Sequence, residues 1–347
     1  MDDRKNTVPR LEDVARALRI SISTVSRSLS NSPRVKPETK KKVFEKAKEL
    51  GYVPNQIAKS LISGKTSVIG VIIPRYDEPF FIEVCRGIDH HARKNKYRIL
   101  ISSSRNSFKY EKENIFAFER GIVDGVIISL THETNSLNHL QEVVNRGIPL
   151  VVFDNVDEKI KDAVHVKIDD AKAAYSAVTF LAKKKAINSI GFIGGTVLKS
   201  VFNMRFDGYI NALKKHEIQL NEKYILNCKS LHQEHEFYEI HNFISKLKVV
   251  PDAFFCTTDS YAILCIKVLS QLGYKVPNRV QVIGFGNLHF GHMLDTELTS
   301  VAQPSFTMGE KAAELLLSKI KKGSYLPNDN TDEVILPTKL IVRNTTK

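Results

Sequence analysis

The chain has 347 residues, of which 42% are hydrophobic, and its formal net charge at pH 7 is +13. This length exceeds one ordinary domain and predicts two larger units beside a small one. No apolar run approaches the roughly 18 residues of a membrane span, and the polar start lacks the apolar core of a secretory signal. We therefore expect a cytoplasmic protein with no membrane contact, and reduced thiols at Cys85, Cys228, Cys256 and Cys265, which lack CxxC spacing.

The positive charge is concentrated at the N-terminus. Residues 1–65 contain fifteen Lys or Arg against seven Asp or Glu, so one fifth of the chain carries more than half of the net charge. Basic side chains that neutralise phosphates release bound counterions, which drives binding to nucleic acid. The N-terminal segment is therefore predicted to bind a polyanion.

Residues 11–29, LEDVARALRISISTVSRSL, read as two short helices joined by a tight turn. Apolar residues at helical spacing form one stripe in the first helix: Leu11, Val14, Ala15 and Leu18. Ser21 is placed as the N-cap of the second helix, whose buried side is Val25 and Leu29. The opposite side carries hydroxyls and Arg27, a composition that suits the major groove of DNA. An ordinary helical hairpin is the alternative.

A third helix and a linker follow. Pro37 fits the first turn of a helix and Gly51 its end, which predicts a headpiece over residues 1–51. In the linker, residues 52–66, a short helix is predicted from Asn55 to Leu61. Leu61 beside basic residues suits a wedge in the minor groove, with a plain linker as the alternative.

From Ser67 onward, short apolar runs alternate with amphipathic stretches. The predicted strands are 67–74, 97–104, 125–130, 149–154, 189–195, 253–258 and 280–286, and the predicted helices include 81–94, 170–185, 204–216, 234–248 and 260–272. Val/Ile-rich strands between helices predict parallel sheets that are covered on both faces. The fold class is therefore a small all-α helix-turn-helix headpiece plus an α/β body of two doubly wound parallel-sheet lobes.

The predicted boundaries place an N-lobe at about 67–166 and 301–326, and a C-lobe at about 167–300 and 327–347. Late strands at 298–302 and 331–342, on either side of a helix at 307–321, indicate that the chain crosses back between the lobes. Ligands of open α/β sheets bind beyond the carboxyl ends of the strands. A small-molecule cleft is therefore expected between the lobes.

The order of these parts resembles the LacI family of bacterial transcription regulators. The blocks that carry the resemblance include LEDVARALRISISTVSRSLSNSPRV, KKVFEKAKELGYVPNQIAKSL, EPFFIEVCRGI, IPLVVFDN, RFDGYINAL, VQVIGFGN and LTSVAQPSFTMGEKAAELLL, and they span nearly the whole chain. The resemblance implies a body like a periplasmic binding protein and a homodimer that binds a palindromic operator in double-stranded DNA.

The resemblance also assigns the DNA contacts. Ile22, Ser23 and Arg27 stand where the family reads bases, and Leu61 falls on its intercalating leucine. Contacts that position the backbone are implied for Ser21, Thr24, Ser26, Asn31, Tyr52 and Asn55. Arg27 can pair with guanine through two hydrogen bonds, worth about 1–3 kcal/mol of discrimination.

For the effector, strand-end positions and the resemblance together select Phe80, Asp154, Arg205 and Asp259. Each has a structural alternative: lobe packing for Phe80, an ion pair for Arg205, and an N-cap for Asp259. The chain departs from the family pattern at Arg19, Glu78, Thr258 and Gly286, where Gly, Asn, Asn and Asp are usual. Three of these positions lie at the cleft, so the usual ligands of the family do not transfer directly.

The predicted function is a transcription regulator, a repressor gated by a small molecule, most simply a sugar or sugar derivative. A solute-binding receptor for transport and an enzyme that uses the cleft are the alternatives. No acid, base and nucleophile set supports the enzyme. Neither a cofactor nor a metal is expected, because the His232–His235 and His289–His292 pairs lack a third ligand.

Overall fold

The computed structural model describes residues 9–53, 65–157, 159–195, 201–228, 233–288, 295–322 and 333–347. The described contacts divide the chain into two compact units, Met1–Thr66 and Ser67–Lys347. The predicted hinge residues Asn55 and Leu61 lie outside the described residues, as do His232, His289 and His292. None of the helices in the described part of the chain has both the length and the hydropathy to cross a membrane.

The described residues of the N-terminal unit form three helices, α1 (Leu11–Leu18), α2 (Ile22–Leu29) and α3 (Pro37–Glu49). They pack around a small core of five buried side chains, Val14, Ala15, Val25, Val43 and Ala47. The apolar stripes predicted for the first two helices are the sides that face this core. Pro37 occupies the first turn of α3, where its missing N–H costs no intrahelical hydrogen bond.

The second unit contains two six-stranded sheets, one in each lobe. The N-lobe sheet has the order β11-β5-β4-β3-β1-β2, and its strands are β1 (Val68–Ile73), β2 (Arg98–Ser103), β3 (Gly125–Ile128), β4 (Leu150–Phe153), β5 (Val164–Ile168) and β11 (Glu333–Leu336). The C-lobe sheet has the order β12-β10-β9-β8-β6-β7, with β6 (Ile190–Gly195), β7 (Ile225–Cys228), β8 (Ala253–Cys256), β9 (Gln281–Gly286), β10 (Thr299–Ala302) and β12 (Lys339–Ile341).

Every pairing between described strands is parallel except that of β10 with β12. Helices cover the faces: α4 (Pro79–Lys94), α5 (Phe108–Phe118), α6 (Asn138–Asn145), α7 (Asp170–Ala182), α8 (Val201–Lys215), α9 (Gln233–Ser245), α10 (Asp259–Gln271) and α11 (Ser305–Lys322). Two 3₁₀ turns lie at Glu222–Tyr224 and Asn344–Thr346. The predicted fold class is confirmed.

In both lobes a glycine lets two helices pack closely. In the N-lobe, a Cβ on Gly87 of α4 would overlap the carbonyl oxygen of Phe306 in α11, and a Cβ on Gly309 would overlap that of Val84. In the C-lobe, a Cβ on Gly208 of α8 would overlap the carbonyl oxygen of Ala171. These helix pairs therefore leave no room for a side chain at their crossing points.

The lobe boundaries differ from the predicted ones near the C-terminus. β10 belongs to the C-lobe sheet, although the prediction places residues from 301 onward in the N-lobe. β11 joins the N-lobe sheet beside β5, although the prediction places residues from 327 onward in the C-lobe. β11 is an edge strand in which exposed and partly buried residues alternate. Such a strand can pair with either sheet, so its sequence does not select one.

Candidate functional site

Most of the predicted DNA contacts lie on or next to α2, and local hydrogen bonds fix where this helix starts. The Ser21 hydroxyl accepts a hydrogen bond from the Thr24 N–H at 3.1 Å, which confirms the predicted N-cap. On the inner side Val25 is fully buried, and the Ser28 hydroxyl donates to the Thr24 carbonyl at 2.7 Å. The rotation of the helix about its axis is therefore set by packing.

The outer side of α2 carries side chains that have no role in the core. Ile22 is 47% exposed, and Ser23 and Arg27 are also exposed, whereas Thr24 and Ser26 are half-buried. An exposed isoleucine next to hydroxyls and an arginine matches what a helix needs to contact thymine methyls, base edges and phosphates. This is the face on which the resemblance places the base-reading residues.

Two left-handed residues shape the headpiece turns. Arg19, which follows α1, has φ 50° and ψ 42°, a conformation that costs a non-glycine residue about 1–2 kcal/mol. Asn31 after α2 has φ 56°, and its side-chain oxygen accepts a hydrogen bond from Lys40 Nζ at 2.9 Å.

Tyr52 packs against the headpiece core, and its N–H donates to the Ala47 carbonyl at 2.8 Å.

The body contains a cavity of about 80 Å³ between its two sheets. From the N-lobe, the segments after β1, β2, β3 and β4 line it, and from the C-lobe those after β6, β7, β8, β9 and β10 do so. In both sheets these are the carboxyl ends of parallel strands, where ligands of this architecture bind. The cavity therefore occupies the predicted cleft.

Three of the four predicted effector residues line this cavity. Phe80, 7% exposed, packs edge-to-face on Phe81 with ring centroids 5.2 Å apart. Asp154 follows β4 in a left-handed conformation with φ 59°. Burial, reinforced by the negative charge of Asp170, raises the pKa of Asp154 to about 7.

Arg205 forms the ion pair that was the structural alternative for it, and it also lines the cavity. Its Nε donates to Asp170 at 2.7 Å, and its Nη1 donates to the Thr257 carbonyl at 2.7 Å. The guanidinium carbon lies 3.8 Å from the centroid of the Phe285 ring. Because a guanidinium has five N–H donors, the ion pair leaves others for a ligand in the cavity that Arg205 lines.

The prediction that Asp259 lines the cavity is wrong. Its side chain accepts hydrogen bonds from the Ser300 hydroxyl and from the Leu288 N–H, both at 2.6 Å, so it ties β10 to the segment after β9. It is not the N-cap of α10 either, because the Thr258 hydroxyl accepts from the Tyr261 N–H at 3.1 Å. Thr258, one residue earlier, is the one that lines the cavity.

The cavity also contains an ion pair that joins the lobes, between two residues that the sequence analysis missed. Arg75 follows β1 in the N-lobe, and Glu236 lies in α9 of the C-lobe. Arg75 Nη1 lies 3.7 Å from Glu236 Oε1, while Nε and Nη2 of Arg75 donate to Asp77 at 2.9 and 2.7 Å. Burial raises the pKa of Glu236, and Arg75 opposes that rise.

Three buried polar atoms that line the cavity have no hydrogen-bond partner among the described residues: Asn106 Oδ1, His132 Nδ1 and Gln303 Nε2. Burial together with the charges of Arg75 and Arg205 lowers the pKa of His132 to about 4, so its imidazole is neutral at pH 7. None of the three is among the effector residues predicted from the sequence. The strand-end rule that selected Asp154 could have found Asn106 and His132, which follow β2 and β3 by a few residues.

A larger groove of about 830 Å³ lies along β7 and α9 at the outer edge of the C-lobe sheet. Its lining includes Lys223, Lys246 and Lys248 beside the exposed Val249. None of the unpartnered buried atoms described above lines it. Among the described residues, no cluster of three His, Cys, Asp or Glu side chains has the geometry of a metal site. The interlobe cavity is therefore the better candidate for a small-molecule site.

Comparison with known proteins assigns both units. Residues 10–55 match the family model described as bacterial regulatory proteins, lacI family, and residues 178–346 match a periplasmic binding protein-like domain. Catabolite control protein A of Staphylococcus xylosus is 32% identical over 340 residues, which cover 96% of this chain and 98% of that protein.

Two solved structures share the fold over nearly the whole chain. The lac repressor dimer bound to operator and the anti-inducer ONPF has a TM-score of 0.84 at 20% identity, covering 98% of this chain and 99% of that one. The complex of the transcriptional regulator CelR with cellobiose has a TM-score of 0.71 at 24% identity, covering 97% and 99%. The prediction of a regulator rather than an enzyme is confirmed: the chain belongs to the lacI family of bacterial regulatory proteins and is a DNA-binding transcription regulator.

Proposed function

We propose that this regulator binds a palindromic operator as a homodimer, acts as a repressor in the cytoplasm, and is gated by a small polyhydroxylated effector in the interlobe cavity. The observation that carries the effector is the set of unpartnered polar atoms on Asn106, His132 and Gln303. Leaving a buried polar group without a partner costs about 1–3 kcal/mol, which a bound ligand with hydroxyl groups would recover.

Each wall of the cavity suits a sugar or sugar derivative. Phe80 offers an apolar ring, and Arg205, Asn106 and Gln303 offer donors and acceptors for hydroxyls. CelR, which shares this fold, was solved with cellobiose. The cavity volume of about 80 Å³ is below the roughly 300–1,000 Å³ of ligand pockets, so the proposal requires the two lobes to move apart when a sugar binds.

On the DNA, Ile22, Ser23 and Arg27 would contact base edges in each half-site. The contacts proposed to position the backbone are Ser21, Thr24, Ser26, Asn31, Tyr52 and Asn55. Leu61 would insert between base pairs at the centre of the operator, where two copies meet. Two-fold symmetry of the protein would then require a palindrome.

Selection from a random duplex library, followed by sedimentation of the protein–DNA complex, tests this proposal. We expect the selected sequences to be palindromic and the complex to contain two protein chains per duplex. Binding of a single chain, or selection of sequences without two-fold symmetry, would contradict the homodimer.

A further inference from the structure

The charges around the interlobe cavity are unbalanced. Two guanidiniums, Arg75 and Arg205, line it together with three carboxylates, Glu78, Asp154 and Glu236. Both guanidiniums are already paired at hydrogen-bond distance with carboxylates just outside the lining, Arg75 with Asp77 and Arg205 with Asp170. The cavity of a strongly basic protein therefore has an excess of negative charge.

Glu78 and Asp154 hold the unneutralised part of this charge. Neither forms an ion pair with any residue that the structure describes. Burial is the largest cause that raises the pKa of each, to about 7, and neighbouring carboxylates raise both further. Arg75 opposes this rise at Glu78, and Arg205 and the Asn155 N–H oppose it at Asp154, but neither guanidinium forms an ion pair with these two acids. Because two guanidiniums face five carboxylates around the cavity, an added cation beside Glu78 and Asp154 would be stabilised.

Elsewhere in the N-lobe, a buried carboxylate receives its hydrogen bonds from within the protein. Glu111 is fully buried and accepts hydrogen bonds from the Thr131 N–H at 2.7 Å and from the Thr134 hydroxyl at 2.9 Å. His139 Nε2 lies 3.0 Å from the same carboxylate. Folding alone can therefore satisfy a buried acid in this lobe, and Glu78 and Asp154 differ because they line a cavity.

A second, independent observation points to a ligand. Asn106, 3% exposed, lines the cavity with its acceptor Oδ1 unpartnered, and Gln303, 9% exposed, lines it with its donor Nε2 unpartnered. A ligand that satisfies both must bring a donor and an acceptor, as hydroxyl groups do. Hydroxyls for these amides and a cation for the acids define one class of molecule.

We propose that the effector is a polyhydroxylated molecule with a positively charged nitrogen, an amino sugar by chemical class; this inference rests on the proposed function. Glu78 and Asp154 would then make the cavity reject phosphorylated and carboxylated sugars. An ammonium group would form charge-assisted hydrogen bonds with these carboxylates. A phosphate would meet guanidiniums that are already neutralised and carboxylates that repel it.

Calorimetric titration of the full chain with matched sugars tests this proposal. The probes are glucosamine, glucose and glucose 6-phosphate, with the corresponding mannose and galactose series. In at least one series we expect the amine to bind about tenfold more tightly than the neutral sugar, because a charge-assisted hydrogen bond contributes more to the binding free energy than a neutral one. We expect the phosphate to give no detectable binding. A neutral or phosphorylated member that binds as tightly as its amine, or no binding by any amine, would overturn the proposal.

Charge-removing variants test it without knowledge of the ligand. In the ligand-free protein, Glu78→Gln and Asp154→Asn should raise the melting temperature, whereas Glu111→Gln should lower it because its hydrogen bonds are already made. Glu78→Gln should also abolish the preference for the amine, and Glu83→Gln, at a partly exposed site in the helix that Glu78 precedes, should preserve it. A lower melting temperature for both cavity variants would show that these acids are structural.

Operator binding by the same proteins separates this inference from the proposed function. If the wild-type protein binds its palindrome as a dimer but prefers the neutral or phosphorylated sugar, only the charge assignment fails. If it binds no specific duplex, the proposed function fails whatever the sugar preference.

Discussion

The headpiece and the body solve two different recognition problems. The headpiece keeps its proposed DNA-contacting side chains on the exposed side of one eight-residue helix, while the opposite side of that helix forms the core. The body brings its cavity residues from segments after nine separate strands and buries most of them. A surface that meets a large external polyanion needs only local order, whereas an enclosed site for a small molecule needs the whole fold to be in place.

The largest expected effect follows from this dependence of the cavity on the whole fold. Gly87→Val would place a side chain against the carbonyl oxygen of Phe306 and force α4 and α11 apart. We expect a loss of about 3 kcal/mol or more in the stability of the body, because backbone atoms at this contact cannot move aside. Chemical denaturation measures it.

The control for that experiment is Glu83→Val, at a partly exposed position on the same helix. It should unfold close to wild type. If the Gly87 variant had wild-type stability, the close packing of these two helices would not be what holds the N-lobe together.

The next effect belongs to the headpiece. Arg27→Ala should weaken binding to the specific operator by about 1–3 kcal/mol and relax the preference at one base pair in each half-site. Binding to unrelated duplexes should change much less. Competition binding with single-base operator variants measures both quantities.

Arg16→Ala provides the matched control, because Arg16 is an exposed arginine of the same headpiece that lies on α1. It removes the same charge and should leave every base preference unchanged. Equal losses of specific binding in the two variants would reduce the role of Arg27 to general electrostatics.

A smaller effect is expected at the ion pair between the lobes. The Arg75 side chain is 16% exposed and that of Glu236 is 4% exposed. A double-mutant cycle of Arg75→Ala and Glu236→Ala, followed by thermal unfolding, should show a coupling of about 1 kcal/mol. The hydrogen bonds between Arg75 and Asp77 cancel in the cycle. Additive effects of the two substitutions would therefore mean that the Arg75–Glu236 pair does not hold the lobes together.

The smallest effect is a dependence on pH. The pKa of Glu78 is raised from 4.5 to about 7 in the folded protein, so between these values the folded state binds more protons than the unfolded state. Stability therefore falls as pH rises through this window. The charged groups that act on Glu78 are Arg75, Glu236, Asp77 and Asp259, and Glu78→Gln leaves all of them in place.

The melting temperature of Glu78→Gln should therefore exceed that of wild type by about 2–4 °C at pH 8, for a difference of about 1 kcal/mol. The gap should close toward pH 4.5, where both proteins are neutral at this position. Calorimetric melts across this range measure it, and a gap that did not change with pH would place Glu78 in solvent.

The two regions also differ in how far their sequence predicts them. The start of α2 at Ser21 and its buried Val25 were predictable, because an N-cap and an apolar stripe depend on neighbours within a few residues. The strands and helices of the body were predictable for the same reason. Which sheet β11 joins was not, because that choice depends on contacts with residues far away in the chain.

At single residues of the cavity, prediction from the sequence is limited in the same way by contacts with distant parts of the chain. Asp154 and Arg205 were predictable from strand ends and resemblance. Asp259 was misplaced because the turn into α10 directs Thr258 rather than Asp259 toward the cavity. Glu236 lies on α9 of the C-lobe, whereas Arg75 lies in the N-lobe, so their approach depends on how the two lobes pack against each other.

The central claim is that the occupant of the interlobe cavity controls how the headpieces bind DNA. The most direct measurement is the affinity of the full chain for its selected palindrome, by fluorescence anisotropy, with and without a sugar that raises its melting temperature. We expect the sugar to change this affinity about 5- to 150-fold, and Asp154→Asn to reduce that change. An operator affinity that stays the same when such a sugar saturates the body would contradict it.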